Sequence, residues 1–182
     1  MTGETVGEGT SGHFARLREP GRGGSLRGAD EFYVGEPVEK EGMQLVPNYL
    51  TGIEMDRHPP GMSMTPNSIH FEIDIHATKD EKHGFPVDSW MPYLTVGLAV
   101  EKIGGGYTET KTLAPMTAVD GPHYANNFAM AGPGKYKATY TIIAPDQADF
   151  LRHVDKKTGV PGWWQPITVS WTFDYPSKPK QE

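Results

Sequence analysis

A chain of 182 residues, 36% apolar and 22% charged, has the length and composition of one ordinary globular domain. A net charge of −6 and a pI near 5.6 exclude the broad positive surface that nucleic acid or an anionic membrane selects. With no cysteine, a disulfide framework, a thiolate zinc site and a cysteine nucleophile are excluded too, so any metal must be held by His, Met, Asp or Glu.

Residues 1–30 carry eight Gly, four Arg and almost no large apolar side chains. Such a segment buries too little surface to offset its ordering entropy, and it reads as a flexible tail or the remainder of a processed leader, with His13 a bystander. The folded domain is expected over residues 31–176, followed by a short tail, 177–182. No apolar run approaches the roughly eighteen residues of a membrane helix.

From Phe32 onward, strand-length apolar runs alternate with turn signals, and no stretch has helical periodicity. Strands are predicted near 43–50, 68–77, 92–101, 107–114, 124–131, 135–143 and 167–175. Gly104, Gly105 and Gly106 predict one hairpin and Gly132-Pro133-Gly134 a second, because glycine supplies the positive φ that tight hairpins need. About seven antiparallel strands predict an all-β fold, an immunoglobulin-like β-sandwich. The long connection 145–166 carries its own Trp163-Trp164 pair and is expected to pack down and carry function.

Within 69–76 the alternation is complete: Ile69, Phe71, Ile73 and Ile75 share one face, and His70, Glu72, Asp74 and His76 share the other. A half-buried strand with a solvated outer face explains this pattern as well as a ligand set does. Neighbours on one face lie about 7 Å apart, whereas His70 and His76 lie about 20 Å apart and cannot ligate one ion. Two further clusters stand out: PMTAVDGPHY (115–124), with Met116, Asp120 and His123 around a Gly-Pro turn, and RHVD (152–155) in the long loop. Taken singly, Met116 reads as a core filler and His153 as a surface residue. His58 and His83 sit in turn-rich stretches and are expected at the surface, while Met62 and Met64 are candidate soft outer ligands.

Taken jointly, GEPVEKEGMQ (35–44), IHFEIDIHA (69–77), PYLTV (92–96), PMTAVDGPHY (115–124), RHVDKKTGV (152–160) and WWQPITVSWTF (163–173) resemble one family. It is the periplasmic iron-transport family of FetP- and FtrA-like proteins that accompany Ftr-type iron permeases. The resemblance implies an immunoglobulin-like sandwich, usually a homodimer, that binds copper through three His and one Met near the subunit interface. A second, weaker site is associated with iron. Position by position, it implies copper ligands His70, Met116, His123 and His153, and second-site candidates Glu72, Asp120 and, more loosely, Glu31. It further implies a periplasmic location and a membrane permease with its associated components as partner, while the acidic net charge implies no nucleic acid.

Three imidazoles and a thioether suit both Cu(I) and Cu(II), and carboxylates beside them add the hard oxygen donors that iron accepts. Binding of this kind should weaken below about pH 6, as free imidazoles protonate. Two other readings compete: a copper oxidoreductase, either ferroxidase or ferric reductase, and a sandwich module for protein interaction whose histidines are surface residues.

Overall fold

A computed structural model describes residues 31–59, 61–145 and 149–178. The expected tail 1–30 with His13, and residues 179–182 of the C-terminal tail, lie outside the described residues. Among the described residues there is no α-helix, and nine antiparallel strands confirm the all-β expectation. They are β1 (Glu31–Tyr33), β2 (Val38–Lys40), β3 (Met43–Leu50), β4 (Ser68–Ala77), β5 (Thr95–Lys102), β6 (Thr108–Ala118), β7 (Gly121–Ala129), β8 (Gly134–Ile143) and β9 (Ile167–Tyr175).

The strands run in the order β1-β3-β4-β7-β6-β5-β8-β9, with β2 also paired to β3. The path folds back on itself at β6. Its first half, from Thr108 to Leu113, pairs with β5, and its second half, from Ala114 to Ala118, pairs with β7. One strand thus belongs to two sheets, a known way to turn the corner of a sandwich.

The inward faces carry the expected alternating apolar side chains. Leu45 and Tyr49 on β3, Ile69, Phe71, Ile73 and Ile75 on β4, and Val96, Leu98 and Val100 on β5 are all buried, together with Tyr136, Tyr140 and Ile142 on β8. Contact between the sheets is aromatic. The Phe71 ring meets Phe173 of β9 edge-on at 5.8 Å, and Tyr49 lies 6.2 Å from the same ring. Buried phenols find polar partners, as they must in a dry core: Tyr124 donates to the carbonyl of Met91 at 2.8 Å, and Tyr140 donates to the carbonyl of Glu72 at 3.3 Å.

Several strand limits differ from expectation. The predicted strands 43–50, 68–77 and 167–175 match β3, β4 and β9. β1 and β2 are three residues each, too short to show periodicity. Gly132-Pro133-Gly134 does not close a hairpin: β7 pairs with β4 and β6 while β8 pairs with β5 and β9, so this turn carries the chain from one sheet to the other. Gly132 at φ 75° makes the bend either way, which is why local turn chemistry cannot tell a hairpin from a crossover. The reverse happens at 115–124, where a loop was expected. Strands β6 and β7 run through it and leave only Val119 and Asp120 as a two-residue turn, with Ala118 opposite Gly121.

Candidate metal centre

β4 lies between β3 and β7, and this placement assembles the site. Cross-strand register sets His70 opposite Asn127 and Glu72 opposite Ala125, so His123 projects from the same face two residues further along β7. One ligand-type atom from each of His70, Glu72 and His123 lies within 4.8 Å of the others, and all three side chains are buried. The imidazole rings of His70 and His123 stand nearly perpendicular, with centroids 6.1 Å apart. Glu72 Oε2 is 3.5 Å from His123 Nε2.

The tautomer of His70 follows from its neighbours. Asn127 Nδ2 donates to the carbonyl of Ser63 at 3.0 Å, which fixes the amide orientation and leaves Oδ1 as an acceptor 2.7 Å from His70 Nδ1. Nδ1 therefore carries the proton, and Nε2 presents a lone pair. This is the usual arrangement of a metal-ligating histidine, whose second nitrogen donates to an oriented acceptor. Burial pushes the His70 pKa below the ordinary histidine value; the hydrogen bond that His70 donates to Asn127 opposes this, and the nearby His123 adds to the lowering. Burial thus favours the neutral form of His70, the form that a metal requires.

Met116 faces His123 directly across the β6–β7 ladder. It lines a cavity of about 1050 Å³ together with His70, Glu72, His123, Asp120 and Leu50, and the segment 52–59 with Met55 and His58 lines it too. Asp120 is exposed at the hairpin tip on the cavity rim. Asp74 is pushed above the usual carboxylate range by burial; His123 and His76 pull it down, while Asp120 and Glu31 add to the rise. Glu31 therefore lies within electrostatic reach of this face, on β1 opposite Leu50.

His153 stands apart within a single chain. Its side chain is 74% exposed, its Nδ1 meets the Thr158 hydroxyl at 2.7 Å, and it does not line the cavity. His76 is likewise away from the cluster, paired with Gln44 and bridged to Trp90. Met64 is exposed with its sulfur 3.7 Å from Asn127 Nδ2, Met62 is buried, and His58 is exposed as expected. The expectation for His83 is overturned. Its ring stacks on Trp163 at 4.6 Å, its side chain is 8% exposed, and its two nitrogens meet Glu81 Oε1 at 2.8 Å and the carbonyl of Gly162 at 3.2 Å. A polar residue in a turn-rich stretch was buried by a loop that arrives 79 residues later.

Asn127, the partner of His70, belongs to none of the ligand motifs in the sequence. Its signal was available: it sits four residues after His123, on the same face of a strand by period-two alternation.

A sandwich with two buried imidazoles and a carboxylate at the floor of an open cavity, and a thioether beside them, defines a metal-binding protein. The chain belongs to the Fe2+ transport protein family, matching it over residues 28–177. It is 40% identical over 153 residues to a UPF0423 protein of Brucella abortus, covering 81% of this chain and 82% of that one. It is 36% identical over 151 residues to the 34 kDa membrane antigen of Treponema pallidum, covering 79% and 73%. Among solved structures it is similar to FetP of uropathogenic E. coli strain F11, with 42% identity, TM-score 0.73 and coverage of 80% and 95%. It is also similar to the copper-reconstituted P19 protein of Campylobacter jejuni, with 41% identity, TM-score 0.74 and coverage of 82% and 99%.

Proposed function

We propose that the protein is an extracytoplasmic, periplasmic copper- and iron-binding protein that supports iron uptake through an Ftr-type membrane permease. The observation that carries this reading is the convergence of His70, Glu72 and His123 with Met116 opposite His123, a donor set that suits copper in either oxidation state. Copper-bound FetP and P19, at about 40% identity, support the same metal here. Iron is the second metal or cargo, and the oxygen donors Glu72, Asp120 and Glu31 around the cavity are its candidate ligands.

His153 enters this reading as a donor from a second copy. A histidine held on an exposed loop and absent from its own chain's cavity is available to the neighbour in a homodimer. Copper binding by His70, Met116 and His123 of one protomer, completed by His153 of the other, makes the site depend on the dimer. The protein then acts by holding and handing on metal rather than by turnover.

Copper titration with a competing chelator tests the site, and sedimentation equilibrium tests the dimer. Wild-type protein should bind one Cu2+ per chain, and the pair Met116→Leu with His123→Ala should abolish it. The His153→Ala variant should bind copper more weakly while keeping its fold. Undiminished binding in the double variant would sink the reading. Oxygen consumption with Fe(II) at catalytic protein concentrations would favour the oxidoreductase instead.

A further inference from the structure

Asn48 lies in the middle of β3 with no exposed surface, and among the described residues neither its Nδ2 nor its Oδ1 has a hydrogen-bond partner. A carboxamide brings two N–H donors and an acceptor oxygen, and native proteins rarely leave such a group buried and unpaired. Where they do, an ion, a water or a functional rearrangement accounts for it.

Its position identifies the account. Met43, Leu45 and Tyr49 fill the core, so alternation turns Asn48 to the opposite face, the one that carries His70 and Glu72 on β4. In register Asn48 is directly opposite Glu72, and on its other side opposite Tyr33 of β1. The next row along is Glu31, Leu50 and His70. Directly opposed side chains have Cβ atoms about 4.5–5.5 Å apart, so a rotamer change brings an Asn amide and a Glu carboxylate into hydrogen-bond contact.

In the structure the Glu72 carboxylate sits 3.5 Å from His123 Nε2. An ionised carboxylate has about four lone-pair sites, enough to serve a cation with one oxygen and accept an N–H with the other. We propose that Asn48 is a positioning residue of the metal centre: when a cation takes His123 Nε2, Glu72 turns one oxygen to the cation and accepts Asn48 Nδ2–H with the other. The orphaned amide of the metal-free protein is thereby satisfied by metal binding. The inference rests on the copper reading above and adds to it a residue outside the ligand set. Outer partners of this kind are worth about ten- to a hundredfold in metal affinity.

The test uses Asn48→Leu, close in volume but apolar, with Cu2+ as the probe, in the wild-type background and in Glu72→Gln. The metal-free variant should melt at or above the wild-type Tm, because an unpaired buried amide has been removed. Its Cu2+ affinity should fall about tenfold, with a changed Cu(II) paramagnetic resonance spectrum. In the Glu72→Gln background the same substitution should change affinity less than about twofold, since the two residues act as one unit.

Cu2+ affinity within about twofold of wild type overturns the inference, and so does an equal loss in both backgrounds, the mark of a purely structural role. Should Asn48→Leu fail to fold, Asn48→Ala carries the same pair of comparisons. A wild-type protein that takes up no Cu2+ overturns the copper reading and this inference together. A wild type that binds Cu2+ with an affinity indifferent to Asn48 overturns this inference alone.

Discussion

His70 donates its Nδ1–H to Oδ1 of Asn127 at 2.7 Å across the β4–β7 ladder, joining residues 57 positions apart. That bond selects the tautomer in which Nε2 is the free donor atom, and the same Asn127 is locked by its contact with Ser63. Replacing Asn127 by Ala frees the ring to rotate and to change tautomer. Cu2+ affinity should fall about ten- to a hundredfold while the fold is kept, measured by chelator competition beside a circular dichroism spectrum. An unchanged affinity would show that ring orientation is set by packing alone.

The depressed pKa of His70 has a consequence for the metal-free protein. Burial, the dominant cause, makes the folded state bind fewer protons at this site than the unfolded chain. As pH falls through the unfolded value of about 6.5 towards the lower folded pKa, the unfolded state gains protons first and stability declines. Urea midpoints of the metal-free protein should therefore drop between neutral pH and pH 5, and His70→Gln should flatten that slope. Equal slopes in both proteins would remove His70 as the cause.

Phe71 is the aromatic hinge of the core, in contact with Tyr49, Phe128 and Phe173. It is fully buried and belongs to the strand whose other face holds His70 and Glu72. Phe71→Ala should cost about 3–5 kcal/mol, through lost burial and the cavity left behind. Denaturant unfolding reads this directly; a loss under about 1 kcal/mol would mean the two sheets close over the gap.

The loop that carries His153 is fastened through His83. Stacking on Trp163 and the hydrogen bond to the carbonyl of Gly162 join the 78–91 region to the stretch before β9, and the local bond to Glu81 orients the ring. Burial alone would raise the Glu81 pKa, but N–H groups of His83 and Phe85 and the His83 ring outweigh it and hold the carboxyl below its usual range. His83→Ala should cost about 1–3 kcal/mol and open the 149–166 loop to protease, with cleavage sites mapped by mass spectrometry. Protection equal to wild type would place the fastening in the Phe150 and Tyr93 contact instead.

Strand β4 was legible in full because its pattern is both long and local. Within its ten residues, the eight from Ile69 to His76 alternate strictly, four apolar side chains against four ionisable ones. Strands β1 and β2 were not, since three residues carry no period and gain their order only by pairing with β3. His83 misled for a related reason: its burial depends on a loop far along the chain, which no window around residue 83 contains. Asn48 and Asn127 read as ordinary polar residues in strands until register placed one beside Glu72 and the other beside His70.

By itself, then, the amino-acid sequence determined that the chain is all-β, that His70 and Glu72 share a face, and that six ordered blocks match an iron-transport family. Alternation and turn chemistry are properties of neighbouring residues, so they survive in one dimension. Only the tertiary structure decided that β4 and β7 lie side by side and bring His70, Glu72 and His123 together. It also decided that Gly132-Pro133-Gly134 passes between sheets and that His153 stays outside its own chain's cavity. Strand pairing is a non-local choice, made by the burial of a whole core rather than by any single segment.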